Sequence, residues 1–348
     1  MPIVVASATR NNQAKSVDVA LETAPGAAKL VVISGPTAVG KTRAGIELAL
    51  RFGGEIINAD SRYLYRGMDI GVAKPNALER RGVPHHVIDV ADPGDEMSLA
   101  TYQALANAAI AETIGHGHLP ILVGGTPLYI NAVVEGWRIP SVSPNPAFRA
   151  NLESEAAETG IAALRARLAA IDPIAAERSG NNLRRIIRAL EIYEATGLPM
   201  SALEGKGPRP YDTLECWLSM PREQLHRAID RRVDEQLASG LAEEVRALLE
   251  GGLPPDAPSM SSLGYRQLVP YVKGEQTLAE AAAQIKFDTH RYVRHQETWL
   301  RRNPRLIKVD VTEEAWVEGL ATLVAEFTGS VSRTDAQPHP VQRDSTSE

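Results

Sequence analysis

The feature that most constrains this chain is Gly35-Pro36-Thr37-Ala38-Val39-Gly40-Lys41-Thr42, which fits G-x-x-x-x-G-K-[ST]. It stands between an apolar run, LVVIS, and an amphipathic stretch, TRAGIELALRF, the order strand, loop, helix that such a loop needs. The glycines let the backbone curl into a nest of N–H donors at a helix N-terminus, where the dipole also favours an anion. Lys41 adds a positive charge, and the Thr42 hydroxyl is a candidate Mg²⁺ ligand. The motif reports a bound polyphosphate without saying that the ligand is a nucleotide.

A loop of this kind predicts a parallel sheet around it, and the first third of the chain supplies one. EIINAD, HHVIDV and LPILVGG read as further strands, and SLATYQALANAAIAETIGHG reads as a helix. Short apolar runs alternating with helices mean an α/β fold, a P-loop-type parallel sheet flanked by helices. Near Gly136 the character changes. Proline-rich WRIPSVSPNP leads into NLESEAAETGIAALRARLAAID and NNLRRIIRALEIYEATG, which read as a helical insertion domain over 136–210. CWLSMP is a short strand that rejoins the sheet, and long helices follow, so the core spans 29–135 and 211–327. Residues 1–28 read as a flexible extension and 328–348 as a disordered tail.

Composition narrows the function classes. The 348 residues contain a single cysteine, Cys216, which excludes an internal disulfide and a multi-cysteine zinc module. The eight histidines show no metal-ligand spacing that stands out. No apolar run approaches the roughly 20 residues of a membrane helix, and no secretory signal is visible, so the expected location is the cytoplasm. The net charge of −6 disfavours nucleic acid on average, but two clusters are basic. One is Arg184, Arg185 and Arg188; the other runs from Lys286 to Lys308, with seven Lys/Arg against Asp288 and Glu297. Either is a phosphate-contacting patch or a solvated helix face.

Asp60 closes EIINAD, beside the P-loop at the carboxyl end of the sheet, where ligands of such sheets bind. It can be a general base, a metal ligand or a helix cap. A kinase would also need an acid at a strand end. LPILVGG instead runs into Thr126 without one, which leaves Asp89 of HHVIDV as the fallback. Arg231 and Arg232 in RRVDEQLASG could serve a second phosphate, and SLGYRQL could stack and pair with nucleotides.

Taken in order, GPTAVGKT, ADS-x3-YRGMDIGVAKP, ILVGGTPLYI, RRIIRALEIYEATG, RRVDEQLASGLAEEV, GYRQ and RHQETWLR resemble the motifs of tRNA dimethylallyltransferases, from about Leu30 to Arg302. The resemblance implies transfer of a dimethylallyl group from its diphosphate to the N6 amine of an adenosine next to the anticodon. It implies that the P-loop, with Lys41, Thr42 and Mg²⁺, grips the diphosphate and that Arg232 is a second contact to it. By the same resemblance Asp60 is the general base, and Thr126 lies along the channel where the flipped base meets the donor. Ser61, Arg62, Tyr63, Arg149, Arg184, Arg185, Arg188, Gly264, Tyr265 and Arg266 then join Asp60 and Thr126 on the surface facing the anticodon stem-loop. The implied enzyme is a monomer. Four positions depart from the usual pattern. Arg62-Tyr63 follows Asp60-Ser61 where a glutamine is common two places on, Val72 replaces a threonine, Ala228 an arginine, and His295 another basic residue. An adenylate isopentenyltransferase and a small-molecule P-loop kinase are the alternative readings.

Overall fold

The computed structural model describes residues 23–329 apart from Arg302. Most of the N-terminal extension, the tail beyond Gly329 and Arg302 of the basic cluster therefore lie outside the described residues.

Strand β1 (Thr23–Ser34) ends at the P-loop, and α1 (Lys41–Phe52) follows. β1 begins inside the segment expected to be a loose extension: Thr23 pairs with Arg209 and Ala28 with Tyr211. The correction has a simple cause. Backbone pairing with a neighbouring strand needs no apolar side chain, so TAPGAA carries no hydrophobic signal for it. Gly40 enters α1 and Gly53 leaves it, both in the left-handed region at φ 97° and 62°.

Next come β2 (Gly54–Asn58), α2 (Ala77–Arg80), β3 (His85–His86), α3 (Leu99–Gly115), β4 (Leu119–Gly124) and α4 (Pro127–Val134). The strand read in HHVIDV shrinks to two residues because Val87 and Asp89 both take positive φ, 59° and 57°. After β5 (Trp137–Arg138) the chain forms α5 (Pro146–Thr159), α6 (Ile161–Ile171), α7 (Pro173–Ser179), α8 (Leu183–Thr196) and α9 (Met200–Leu203). These helices gather round an apolar cluster of their own that includes Leu152, Leu164, Leu168, Ile186 and Leu190. β6 (Gly205–Lys206) pairs antiparallel with β5 at the base of this unit.

β7 (Arg209–Ser219) then returns alongside β1, longer than CWLSMP suggested. The chain closes with α10 (Arg222–Ala238), α11 (Leu241–Glu250), α12 (Tyr265–Val272), α13 (Leu278–Leu300), β8 (Ile307–Asp310) and α14 (Trp316–Thr328). Neither β8 nor α14 was read from the sequence. Among the described residues the sheet has six strands, all parallel, in the order β3-β2-β4-β1-β7-β8. Leu30, Val31, Val32 and Ile33 in its centre are fully buried, as expected where helices cover both faces. Among the described residues no helix is long and apolar enough to cross a membrane.

Candidate active site at the carboxyl end of the sheet

The P-loop turns back on itself through positive φ at Ala38 and Gly40. Any side chain at Gly35 would strike the Leu218 carbonyl and Val39, so this position keeps the loop tight against β7. The Lys41 ammonium donates to the Pro36 carbonyl oxygen at 2.7 Å, which folds it over the loop it follows. Burial pulls its pKa down to about 8; Asp60 opposes the shift and Arg232 adds to it. That two-sided influence brings Lys41, Asp60 and Arg232 into one electrostatic neighbourhood.

Asp60 is presented by a tight connection between strand ends. Asn58 clamps it by accepting its N–H at 2.8 Å and donating to its carbonyl oxygen at 2.9 Å. Asp60 Oδ1 accepts the Arg62 N–H at 3.0 Å. The neighbouring connection supports the same turn: the Ala59 N–H donates to Val123, and the Thr126 N–H to the Ala59 carbonyl oxygen at 3.1 Å. A Cβ on Gly124 would overlap the Ala59 carbonyl group, so only glycine lets these two strand ends approach. The Thr126 hydroxyl accepts the Ser61 N–H at 3.0 Å and donates to the Ser61 hydroxyl at 3.3 Å. Thr126 therefore braces the Asp60 turn.

Gln296 on α13 closes the assembly. Its Oε1 accepts the Thr37 N–H at 3.1 Å and its Nε2 donates to the Gly125 carbonyl oxygen at 2.7 Å, linking the P-loop to the β4–α4 turn. Sequence reasoning gave this residue no role. The signal was its place in RHQETW, but a bond between residues 259 positions apart has no local signature.

Arg232 on α10 donates to the Val72 carbonyl oxygen at 2.8 Å. The loop carrying Val72 is held by Glu244 on α11, which accepts the N–H groups of Asp69, Ile70 and Gly71 at 2.9–3.2 Å. Tyr265 donates to the same carboxylate at 2.5 Å. Tyr265 is fully buried, and a Cβ on Gly71 would overlap its ring. This corrects the expectation for Gly264 and Tyr265. GYRQ begins helix α12 inside the core, Gly264 is buried with it, and the tyrosine ring is unavailable for stacking on a nucleotide. Arg266 is exposed and paired with Asp288 at 3.1 Å.

Tyr63, where a glutamine is common, packs against the core and donates its hydroxyl to the Ala73 carbonyl oxygen at 2.8 Å. Burial raises its pKa, and its hydroxyl also reaches that of Thr42. The fallback acid is disposed of: Asp89 pairs at 2.5 Å with buried Lys74, which also holds Asp69 at 2.6 Å.

These elements enclose a cavity of about 530 Å³. Thr37, Asp60, Ser61, Arg62 and Arg232 lie on its lining, and Arg266, Arg291, Tyr292, His295 and Gln296 come from α12 and α13. Arg149 and Arg188 are elsewhere and are engaged. Arg149 forms a two-pronged pair with buried Glu191 at 2.8 and 2.9 Å, and Arg188 adds a third contact at 2.6 Å. Burial alone would raise the Glu191 carboxyl; Arg149, the Asn145 N–H and Arg188 outweigh it and bring it to about 2. Both guanidiniums thus have a structural partner in Glu191. Arg184 and Arg185 are exposed on α8, without an ion pair among the described residues.

The family model described as IPP transferase matches residues 63–303. The chain belongs to the tRNA dimethylallyltransferase family. It is 56% identical to the tRNA dimethylallyltransferase of Thermomicrobium roseum over 292 residues, 84% of this chain and 89% of that one. Identity to the enzyme of the same name from a Roseiflexus species is 52% over 299 residues, 86% of this chain and 98% of the relative. The fold matches the full-length tRNA isopentenylpyrophosphate transferase of Bacillus halodurans with a TM-score of 0.65 at 39% identity, covering 86% of this chain and 97% of that one. It also matches a eukaryotic dimethylallyltransferase acting on tRNA, with a TM-score of 0.75 at 26% identity over 89% and 82% of the two chains.

Proposed function

We propose that this chain transfers the dimethylallyl group of dimethylallyl diphosphate to the N6 amine of an adenosine in the anticodon loop of tRNA. The observation that carries the reading is the single cavity that has Asp60, Thr37 and Arg232 on one wall and the basic and aromatic residues of α12 and α13 on the other. A small anionic donor fits against the first wall. An RNA loop with its target base turned out of the stack fits against the second.

The P-loop N–H groups, Lys41 and Arg232 hold the diphosphate. The adenine nitrogen attacks C1 of the prenyl chain, the C1–O bond breaks, its electrons leave with the diphosphate, and the nitrogen's proton passes to Asp60. Arg62 N–H engages Oδ1 of Asp60 and fixes the carboxylate plane, leaving Oδ2 to receive that proton. The local donors, the Thr42 hydroxyl and the Asp60 carboxylate, are hard oxygens of the kind Mg²⁺ takes together with substrate phosphates and water. Thr42 would hold the ion, which would offset charge on the departing diphosphate.

A kinase reading is less well supported, because Asp89, the acid that would have to serve it, is held by Lys74. The test is incubation with unmodified tRNA, Mg²⁺ and labelled dimethylallyl diphosphate, without ATP. One diphosphate released per N6-prenylated adenosine is expected. A strict need for ATP, or label on free adenylate alone, would overturn the proposal.

A further inference from the structure

Glu55 is the second residue of β2, at the amino end of the sheet and therefore remote from the cavity. Its side chain is 4% exposed, a costly position for a carboxylate unless cationic or hydrogen-bonding groups surround it. Oε2 is engaged on two sides, with His86 Nε2 at 2.5 Å and the Thr113 hydroxyl at 3.2 Å. Oε1 faces two further imidazoles, His118 Nδ1 at 2.6 Å and His116 Nδ1 at 3.7 Å. The two histidines reach the same oxygen because Gly117 between them takes φ 76°, reversing the chain as α3 ends and β4 begins.

One oxygen of the carboxylate is thus anchored, while the other shares its space with two nitrogen donors. These three atoms lie within 4.8 Å of one another. A tetrahedral zinc site needs metal bonds of about 2.0–2.2 Å, hence ligand separations of about 3.3 Å, which small rotations of the two rings supply. Both rings are at the surface, 53% and 36% exposed, so an ion has a path in. One carboxylate oxygen with two imidazoles suits a borderline cation such as Zn²⁺ and not Mg²⁺ or Ca²⁺, which favour oxygen alone.

We propose that Glu55, His116 and His118 form a Zn²⁺ site with water in the fourth position, and that His86 is a positioning residue holding the carboxylate by its other oxygen. The ion would tie together β2, the end of α3 and the start of β4. It would act as a staple and take no part at the reacting atoms. This inference stands independently of the prenyl-transfer reading.

The experiment uses untagged full-length protein stripped with a chelator, kept in saturating Mg²⁺ and titrated with ZnCl2 by calorimetry and by thermal melting. One Zn²⁺ per chain and a rise in Tm are expected. The double variant His116→Ala with His118→Ala also removes the His118 hydrogen bond to buried Glu55, so it should melt below the stripped wild type, and added zinc should give neither binding nor a rise in its Tm. His86→Ala should retain the stoichiometry with affinity about 10- to 100-fold weaker, the usual effect of removing a residue that orients a ligand. No zinc uptake by wild type, or uptake that survives the double variant, would overturn the proposal.

Discussion

At the carboxyl end of the sheet, backbone groups hold charged side chains in place. The Lys41 ammonium rests on the Pro36 carbonyl and the Arg232 guanidinium on that of Val72, while the Asp60 carboxylate accepts the Arg62 N–H. In the helical unit, side chains hold one another: Arg149 and Arg188 close on Glu191, and Arg178 on Glu204. A backbone partner fixes position without cancelling charge, so Asp60 and Arg232 still present theirs to a ligand. A side-chain partner cancels it, so the helical unit gains rigidity there, while Arg184 and Arg185 have no ion pair among the described residues. Arginines that look equivalent in RRIIRALE therefore have different uses.

Four measurements can break or sharpen this contrast. Asp60→Asn keeps the turn but cannot accept a proton. The single-turnover rate should fall by about 10²–10⁴-fold with substrate affinities within a few-fold, the mark of a contact made in the transition state. If excess Mg²⁺ restores the rate, Asp60 is a metal ligand instead.

Glu191→Gln should destabilise the fold by about 2–3 kcal/mol. That is less than the roughly 3–5 kcal/mol of a fully buried pair, because Arg149 and Arg188 remain partly exposed. The folded carboxyl sits near 2, below its ordinary 4.5. Its contribution is therefore complete above about pH 4.5 and is lost as pH falls toward 2. Acid unfolding of the variant should lack that part of the wild-type slope, and an unchanged slope would contradict the assignment.

Lys41→Ala removes a charge-assisted contact of about 1.5–3 kcal/mol, so donor affinity should weaken about 10- to 150-fold. With its pKa drawn down to about 8, wild-type donor affinity should also decline as pH rises above 8, because the free protein then loses the charge. Affinity that holds level to pH 10 would show that Lys41 does not face the phosphates.

The smallest effect belongs to Arg184→Ala with Arg185→Ala. Binding of tRNA should weaken and its log–log salt slope should drop by about 2, with donor affinity and Tm preserved. A fall in Tm instead would place these two arginines in the same structural class as Arg149 and Arg188.

Much of the core was legible because its signals are local. The P-loop carries its glycines and lysine within eight residues, and LVVIS and LPILVGG are unbroken apolar runs of the kind a doubly covered strand requires. Asp60 was legible as the acid that closes the apolar run EIINAD, two residues past the end of β2. What escaped depends on contacts between distant segments. Glu244 reaches back some 175 residues to the 69–71 loop, and Gln296 reaches back 259 to Thr37. Neither has a composition cue. Tyr265 was misplaced because glycine, tyrosine and arginine in sequence describe an exposed loop as well as a buried helix start. His116 and His118 stand two residues apart in one turn, but Glu55 and His86 come from other strands, so only the fold gathers the four. β8 is four residues long and half exposed, too brief for a period-two pattern to register.

The strand order also has a consequence for how the chain is made. β1 lies between β4 and β7, and β7 begins about 175 residues after β1 ends. A ribosome adding about 5–20 residues per second leaves that edge of β1 open for roughly 9–35 s. Throughout that interval the nascent chain carries Leu30 to Ile33 on an unpaired edge, while the helical unit, which has its own apolar cluster, emerges and can close. Synthesis therefore passes through a long half-sheet stage in which β1 depends on chaperones, or on β4 alone, to keep it from pairing with another chain.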